Sequence, residues 1–357
     1  MILILIYLPA SYCFYRKISV YVFKNTEINN EKASDSEAKS MLFLVGMHKE
    51  SEEVDIITFD CFNDVTGSTE CFSKMWDIQS KNYKDFPPSI IGESLYTLYD
   101  NFMSSVKFHE YILFCNPLKT EYLLDDSQPL YQFDNIVDST KVRIINKLTS
   151  LVKKNHKVSD VPYLEEFLGK LTFYEDRHSK SDYIKSISKF KNSQIVEESV
   201  YNNIFKEIRD KQSSLKNSYI ENKTIEKPEE VLNFNRHLTK IQIHTLIISK
   251  LVGIEIFSFE GIPIPFINYL IGLSQDDIED LLLDCKSNIS KAFFDKNSYL
   301  FFWTIIENIA FEIHKQKTNN VDEIYEKTKS RINKIPQYLD EISLKYLISL
   351  LISGNKK

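Results

Sequence analysis

The chain has 357 residues, 43% hydrophobic and 26% charged, with a formal net charge of −6. Those proportions are globular, which excludes a disordered, collagenous or polytopic membrane chain, and the length suffices for two or three domains. An acidic balance disfavours wholesale coating of nucleic acid, although a local basic groove stays open.

Met1 to Tyr15 is almost wholly apolar, with Arg16 and Lys17 on its far side. A signal peptide carries its positive charge before the apolar core, and about 15 residues is short for a span of ~20. Three readings stay open: an element packed on the core or a start-site extension, an N-terminal anchor, or a secretory segment. Five cysteines, an odd set with no CxxC pair, argue against the last and for a reducing cytoplasm.

Residues 1–30 are therefore treated as an extension, with a polar linker over 25–35. The apolar spacing predicts a helix over Ser36–Met47. Val54–Phe62 and Met75–Gln79, rich in β-branched and aromatic residues, predict strands. Pro87 and Pro88 open a helix over about Ser89–Ser104, a position that suits proline. Tyr111–Cys115 reads as a strand, Lys141–Lys154 as a helix and Leu171–Tyr174 as a last strand. This order predicts an α/β domain over 31–180.

Residues 181–357 read as all-α. The expected helices are Val196–Lys216, Leu238–Val252, Gln275–Ser290, Tyr299–Gln316, Val321–Lys334 and Asp340–Ser353. Apolar but proline-broken, Ile262–Leu273 is expected to be a buried loop and short helix. No fixed-period repeat is present, so a solenoid is not indicated. Eight glycines, none spaced as GxGxxG or GxxxxGK, leave no dinucleotide or P-loop site. Any ATPase activity must come from a partner.

The chemistry gathers between the first two strands. Asp64 follows Phe62-Asn63 at the expected end of one strand, and Trp76-Asp77-Ile78-Gln79-Ser80-Lys81 forms the next. Side chains on a strand alternate faces, so Trp76 and Ile78 point one way and Asp77, Gln79 and Lys81 the other. Such a set suits metal-dependent phosphodiester hydrolysis. Asp64 can hold Mg²⁺ (or Mn²⁺), which takes few protein ligands and keeps its waters, and the Gln79 amide adds an oxygen at lower charge. Lys81 can orient the attacking water and offset charge growing on the phosphate. Asp64, Gln79 and Lys81 are expected to converge on an open face of the sheet. The plain alternative is an ordinary turn at Asn63-Asp64 and a solvated Lys81.

The pattern Asp-x14-Gln-x-Lys is a variant of the PD-(D/E)xK nuclease core with Gln for the second acid. Phe62–Gly67 with Trp76–Lys81, Ile91–Tyr99 and Phe108–Phe114 resembles the dsDNA endonuclease domain of bacterial antiphage proteins. That domain occurs in cyclic-nucleotide-linked systems and in the nuclease subunit of Lamassu-type SMC systems. The likeness spans about residues 36–180. It implies a PD-(D/E)xK-like mixed sheet flanked by helices, with Asp64 as the metal-binding acid and Gln79 and Lys81 as the QxK. It also implies an additional acid on the first helix, for which Glu37 is in place. Asp77 and Asp60 are alternates. The implied partners are double-stranded DNA, an SMC-like ATPase, a small accessory subunit and, on activation, further copies of the chain. Lys141, Arg143, Lys147, Lys153, Lys154 and Lys157, with no acid between them, are candidate phosphate contacts; the alternative is a solvated helix face. The helical half, above all Tyr299–Gln316 and Asp340–Ser353, is expected to dock on those partners.

Overall fold

The computed structural model describes residues 20–24, 31–190, 195–216, 219–315, 317–332 and 335–354. Met1–Tyr15 lies outside them. The described residues fall into two compact units. One comprises the chain up to Ser179 together with Arg209–Lys240, the other Lys180–Ile208 and the chain from Ile241 onward.

In the first unit the elements run β1 (Tyr21–Val22), α1 (Glu31–Gly46), β2 (Ile56–Phe59), β3 (Val65–Ser68), β4 (Met75–Lys81), α2 (Pro88–Phe102), β5 (Glu110–Cys115), β6 (Leu130–Gln132), α3 (Asp138–His156), α4 (Leu164–Gly169) and β7 (Leu171–Glu175). Seven strands form one mixed sheet in the order β6-β7-β5-β4-β3-β2-β9, where β9 is His237–Thr239. β2, β3 and β4 form an antiparallel meander, and β5 and β7 continue it in parallel. Parallel neighbours need a crossover; α2 lies between β4 and β5 in the chain, and α3 between β5 and β7.

α1 packs on β3 and β4, whereas α2 packs on β4, β5 and α3. Ser80 Oγ meets Ser36 Oγ of α1 at 2.6 Å, while Asp77 accepts a hydrogen bond from Asn101 of α2. The two faces of β4 thus meet different helices, and every residue of β4 except Lys81 is buried. Central parallel strands covered on both faces lose the in-out alternation that a one-sided sheet would show. Gly92 marks the α2–α3 crossing, where an added Cβ would come within 2.5 Å of the Ile144 carbonyl oxygen.

Four sequence expectations change here. Glu31–Asp35, expected as linker, are the first turns of α1. Val54–Phe62 is shorter as a strand, ending at Phe59, and an unforeseen β3 follows it. Leu238 lies in a strand and not at a helix start. Arg209–Lys240, read as part of the helical half, joins the first unit through β9 and through β8 (Thr224–Ile225), which pairs with β1. Strands of two and three residues are too short to print a period-two pattern.

The second unit holds α5 (Lys180–Ser188), the first part of α6 (Glu198–Leu215), α7 (Lys240–Val252) beyond its first residue, α8 (Gln275–Phe294), α9 (Tyr299–Lys315), α10 (Val321–Arg331) and α11 (Glu341–Gly354). α8 begins on a reciprocal capping box between Ser274 and Asp277, which satisfies donors that a helix start leaves open. α11, one of the helices expected to dock on partners, has little exposed surface. From Ser343 to Gly354 every residue except Lys345 and Ser353 is buried, so α11 is a core helix. α9 likewise buries Phe302, Trp303, Ile305, Ile306 and Ile309. The Ile262–Leu273 segment, expected to be buried, forms a short 3-10 turn with Ile264 and Ile271 more than 70% exposed.

Candidate active site

The site is built where β2 turns back into β3. Asp60 adopts a left-handed conformation (φ 47°), which aspartate tolerates better than most residues. Its amide donates to the Asp64 carbonyl at 3.3 Å, closing the turn. β3 then pairs with β4 so that Val65 faces Ile78, and the next step of that register sets Asp64 opposite Gln79. The two side chains meet: Gln79 Nε2 donates to Asp64 Oδ2 at 2.5 Å, and the Ser80 amide donates to the same oxygen at 2.7 Å. Asp64 thus precedes β3, whereas the sequence placed it at the end of the strand before.

The pair does not lie on an open face: Asp64 is 9% exposed and Gln79 3%. Lys81, two residues on and so on the Gln79 face of β4, is half-buried. Among the described residues it has no hydrogen-bond or ion-pair partner, so its ammonium is available to a ligand.

Glu37 lies on α1, close enough to Asp64 and Asp60 for their charges to act on it. It is buried, ion-paired with Lys216 and hydrogen-bonded by Gln212 Nε2 at 3.2 Å. Lys216 also pairs with Asp60 at 3.0 Å. Burial pushes the Glu37 carboxyl up to about 8; Lys216 opposes this, and the charges of Asp64 and Asp60 add to it. Two carboxyls, those of Glu37 and Asp60, thus share one ammonium. The Lys216 ammonium is itself held charged: burial disfavours it, but Glu37 and Asp60 outweigh that.

Asp77 plays a different part. It is fully buried, with Asn101 Nδ2 donating to its Oδ2 at 2.8 Å. Burial pushes its carboxyl up to about 8 against hydrogen bonds from Asn101 and Asn63. Asn101 also takes a hydrogen bond from Tyr21 and donates to the Phe62 carbonyl, so Asp77 anchors α2 to the loop behind Asp64.

The basic residues lie along α3, whose apolar side is Ile144, Leu148 and Val152. Arg143, Lys153, Lys154 and Lys157 are exposed, whereas Lys141 and Lys147 approach Asp138 and Glu93, each at 3.4 Å.

A second titratable cluster went unread in the sequence. His48, Glu50 and Glu110 bring ligand-type atoms within 4.8 Å of one another. It sits at the start of β4 and β5, where Trp76 pairs with Glu110, away from Gln79 and Lys81 at the other end. Its groups are already matched. His48 Nδ1 accepts from the Glu50 amide at 3.2 Å, which puts the ring proton on Nε2, 3.1 Å from Glu110. Trp76 Nε1 and Lys74 hold Glu50, and Thr172 donates to Glu110 at 2.5 Å. This is a hydrogen-bonded brace.

Comparison with protein families, with curated proteins and with solved structures finds no match. Among the described residues no helix is long and apolar enough to cross a membrane.

Proposed function

We propose that this chain is a metal-dependent DNA endonuclease of the PD-(D/E)xK kind, the effector of a Lamassu-like antiphage system acting in the cytoplasm. The observation that carries the reading is the cross-strand pair Asp64–Gln79 with the unpaired Lys81 on the same face of the same strand. Glu37, on α1 and 27 residues before Asp64, would join them.

The donor set fits a divalent cation. Its oxygens are carboxylates and amides, its acids outnumber its ammonium, and the buried Gln212 Oε1 beside Glu37 lacks a hydrogen-bond partner among the described residues. Asp64, Gln79 and Glu37 would hold Mg²⁺ or Mn²⁺, which supplies Lewis-acid polarisation of the phosphate and a nucleophilic water at neutral pH. Lys81 then orients that water and offsets the charge that grows on the phosphate. Asp77 positions the loop, and the exposed face of α3 neutralises DNA phosphates. An SMC-like ATPase and a small accessory subunit would hold the chain inactive, and self-association on release would bring two sites to the two DNA strands.

The test is cleavage of double-stranded DNA in Mg²⁺ by the wild-type chain and by Lys81→Ala. The expected loss is about 10²–10³-fold, the usual effect of removing one group that stabilises transition-state charge, with an unchanged melting temperature. Wild-type rates in that variant would remove the assignment. One observation favours a second reading, a nuclease fold that only binds partners or DNA. Asp64 Oδ2 already accepts two hydrogen bonds in a buried setting. On that reading neither protein cuts, and both bind DNA alike.

A further inference from the structure

We propose that the Lys216 ammonium is a resident counter-cation of the acidic site, and that a divalent metal ion binds by exchanging with it. The inference rests on the metal-dependent reading above and adds a control to it.

Lys216 follows the last turn of α6, and its side chain is 9% exposed. Its ammonium is paired with Glu37 and lies 3.0 Å from Asp60. Its backbone is fixed as well. Arg236, itself buried, donates to the Lys216 carbonyl at 2.9 Å and to the Asp60 carbonyl at 3.2 Å. One guanidinium therefore clamps the ammonium's own segment to the turn that carries Asp60 and Asp64. One helical turn earlier, Gln212 reaches the same Glu37 oxygen that Lys216 pairs with. Its carbonyl oxygen is buried without a partner among the described residues. Such an orphaned acceptor costs stability unless something positive is held beside it.

An ammonium and a metal ion seek the same oxygens. Lys216 has the advantage of a tether, which spares it the entropy of capture. It brings one charge to the Glu37 and Asp60 carboxyls, whereas a divalent ion brings two. The metal ion must shed waters and evict the lysine, so the lysine lowers the apparent metal affinity. A nuclease that is harmful when always loaded gains a threshold from that competition.

Mn²⁺ binding to the full chain, without DNA, is measured by the loss of the free-ion electron paramagnetic resonance signal for wild type, Lys216→Met and Lys216→Arg. Lys216→Met is expected to bind about tenfold tighter, equivalent to about 1.4 kcal/mol, and Lys216→Arg to stay near wild type. Equal affinity of wild type and Lys216→Met overturns the exchange and leaves the metal reading standing. Weaker binding by Lys216→Met overturns it too, because the lysine would then assist the metal ion. No binding by any of the three removes the metal reading and this inference with it. A second measurement needs no variant. In the wild-type chain, acylation of Lys216 followed by mass spectrometry is expected to rise severalfold on saturation with Mg²⁺. Unchanged labelling at saturation overturns the proposal.

Discussion

Carboxylates with similar local sequence acquire different chemistry from their neighbours in space. Asp64 and Asp77 both adjoin β4, yet one accepts from Gln79 and Ser80 beside two further acids, and the other is sealed against Asn101. Glu110 is a third case. Burial pushes its carboxyl up, but hydrogen bonds from His48 and Thr172, with the charge of Lys49, outweigh that and hold it below the usual range. A carboxyl depressed in the folded state stabilises the fold above its unfolded pKa, and that stability is lost as pH falls through the folded value. Glu110→Gln is therefore expected to cost about 1–3 kcal/mol near neutral pH, the usual worth of hydrogen bonds to a charged group. The gap to wild type should close in acid. Urea unfolding of both proteins across that range reads it, and a gap independent of pH would contradict it.

The α2–α3 pair depends on a close approach that only glycine permits. Gly92 sits against the Ile144 carbonyl oxygen at 2.5 Å and the Lys147 Cβ at 3.0 Å from an ideal Cβ position. The Gly92→Ala change would favour the helix by propensity. Here it must separate α2 from α3, because a backbone carbonyl cannot turn aside. The expected result is a loss of about 1–3 kcal/mol, as for an overpacked core, read as a lower urea midpoint with an unchanged slope. A more stable variant would show that propensity outweighs the crossing. Periodicity found these helices well, to within a few residues at most ends, because each shows a long stripe at helical spacing. It misjudged exposure where burial is decided by neighbours. α11 is covered on nearly all sides, while the equally apolar Ile264 and Ile271 stand in solvent.

For the molecule as a whole, the first unit is not a contiguous stretch of chain. β9 forms the sheet edge beside β2, and the buried Arg236 ties the Asp60 turn to Lys216. A chain cut near Tyr183 would lose β9, leave β2 as an uncovered edge and strip the site of Gln212, Lys216 and Arg236. It is expected to lose cooperative thermal unfolding and to aggregate, in keeping with an uncovered strand edge. A fragment ending near Tyr183 that melts cooperatively, at a temperature close to the intact chain, would contradict this. The partner-binding test of the helical half accordingly uses the intact chain with surface substitutions.

Local chemistry and local spacing were readable along the chain: the helix stripes, the strands around the motif, and the alternation that puts Gln79 and Lys81 on one face. Strand alternation alone aligned Gln79 with Lys81, and a hairpin register then met Asp64 with Gln79. Nothing local announced Lys216, Gln212 or Arg236, which reach the site from 148 or more residues beyond Asp64 by their numbering. Nor did the scattered His48, Glu50 and Glu110 announce a shared brace. Period-two and period-3.6 patterns report which side of an element is apolar. Which distant segment fills the space opposite, and whether a polar face is left open or buried in charge pairs, is set by long-range packing that those patterns do not carry.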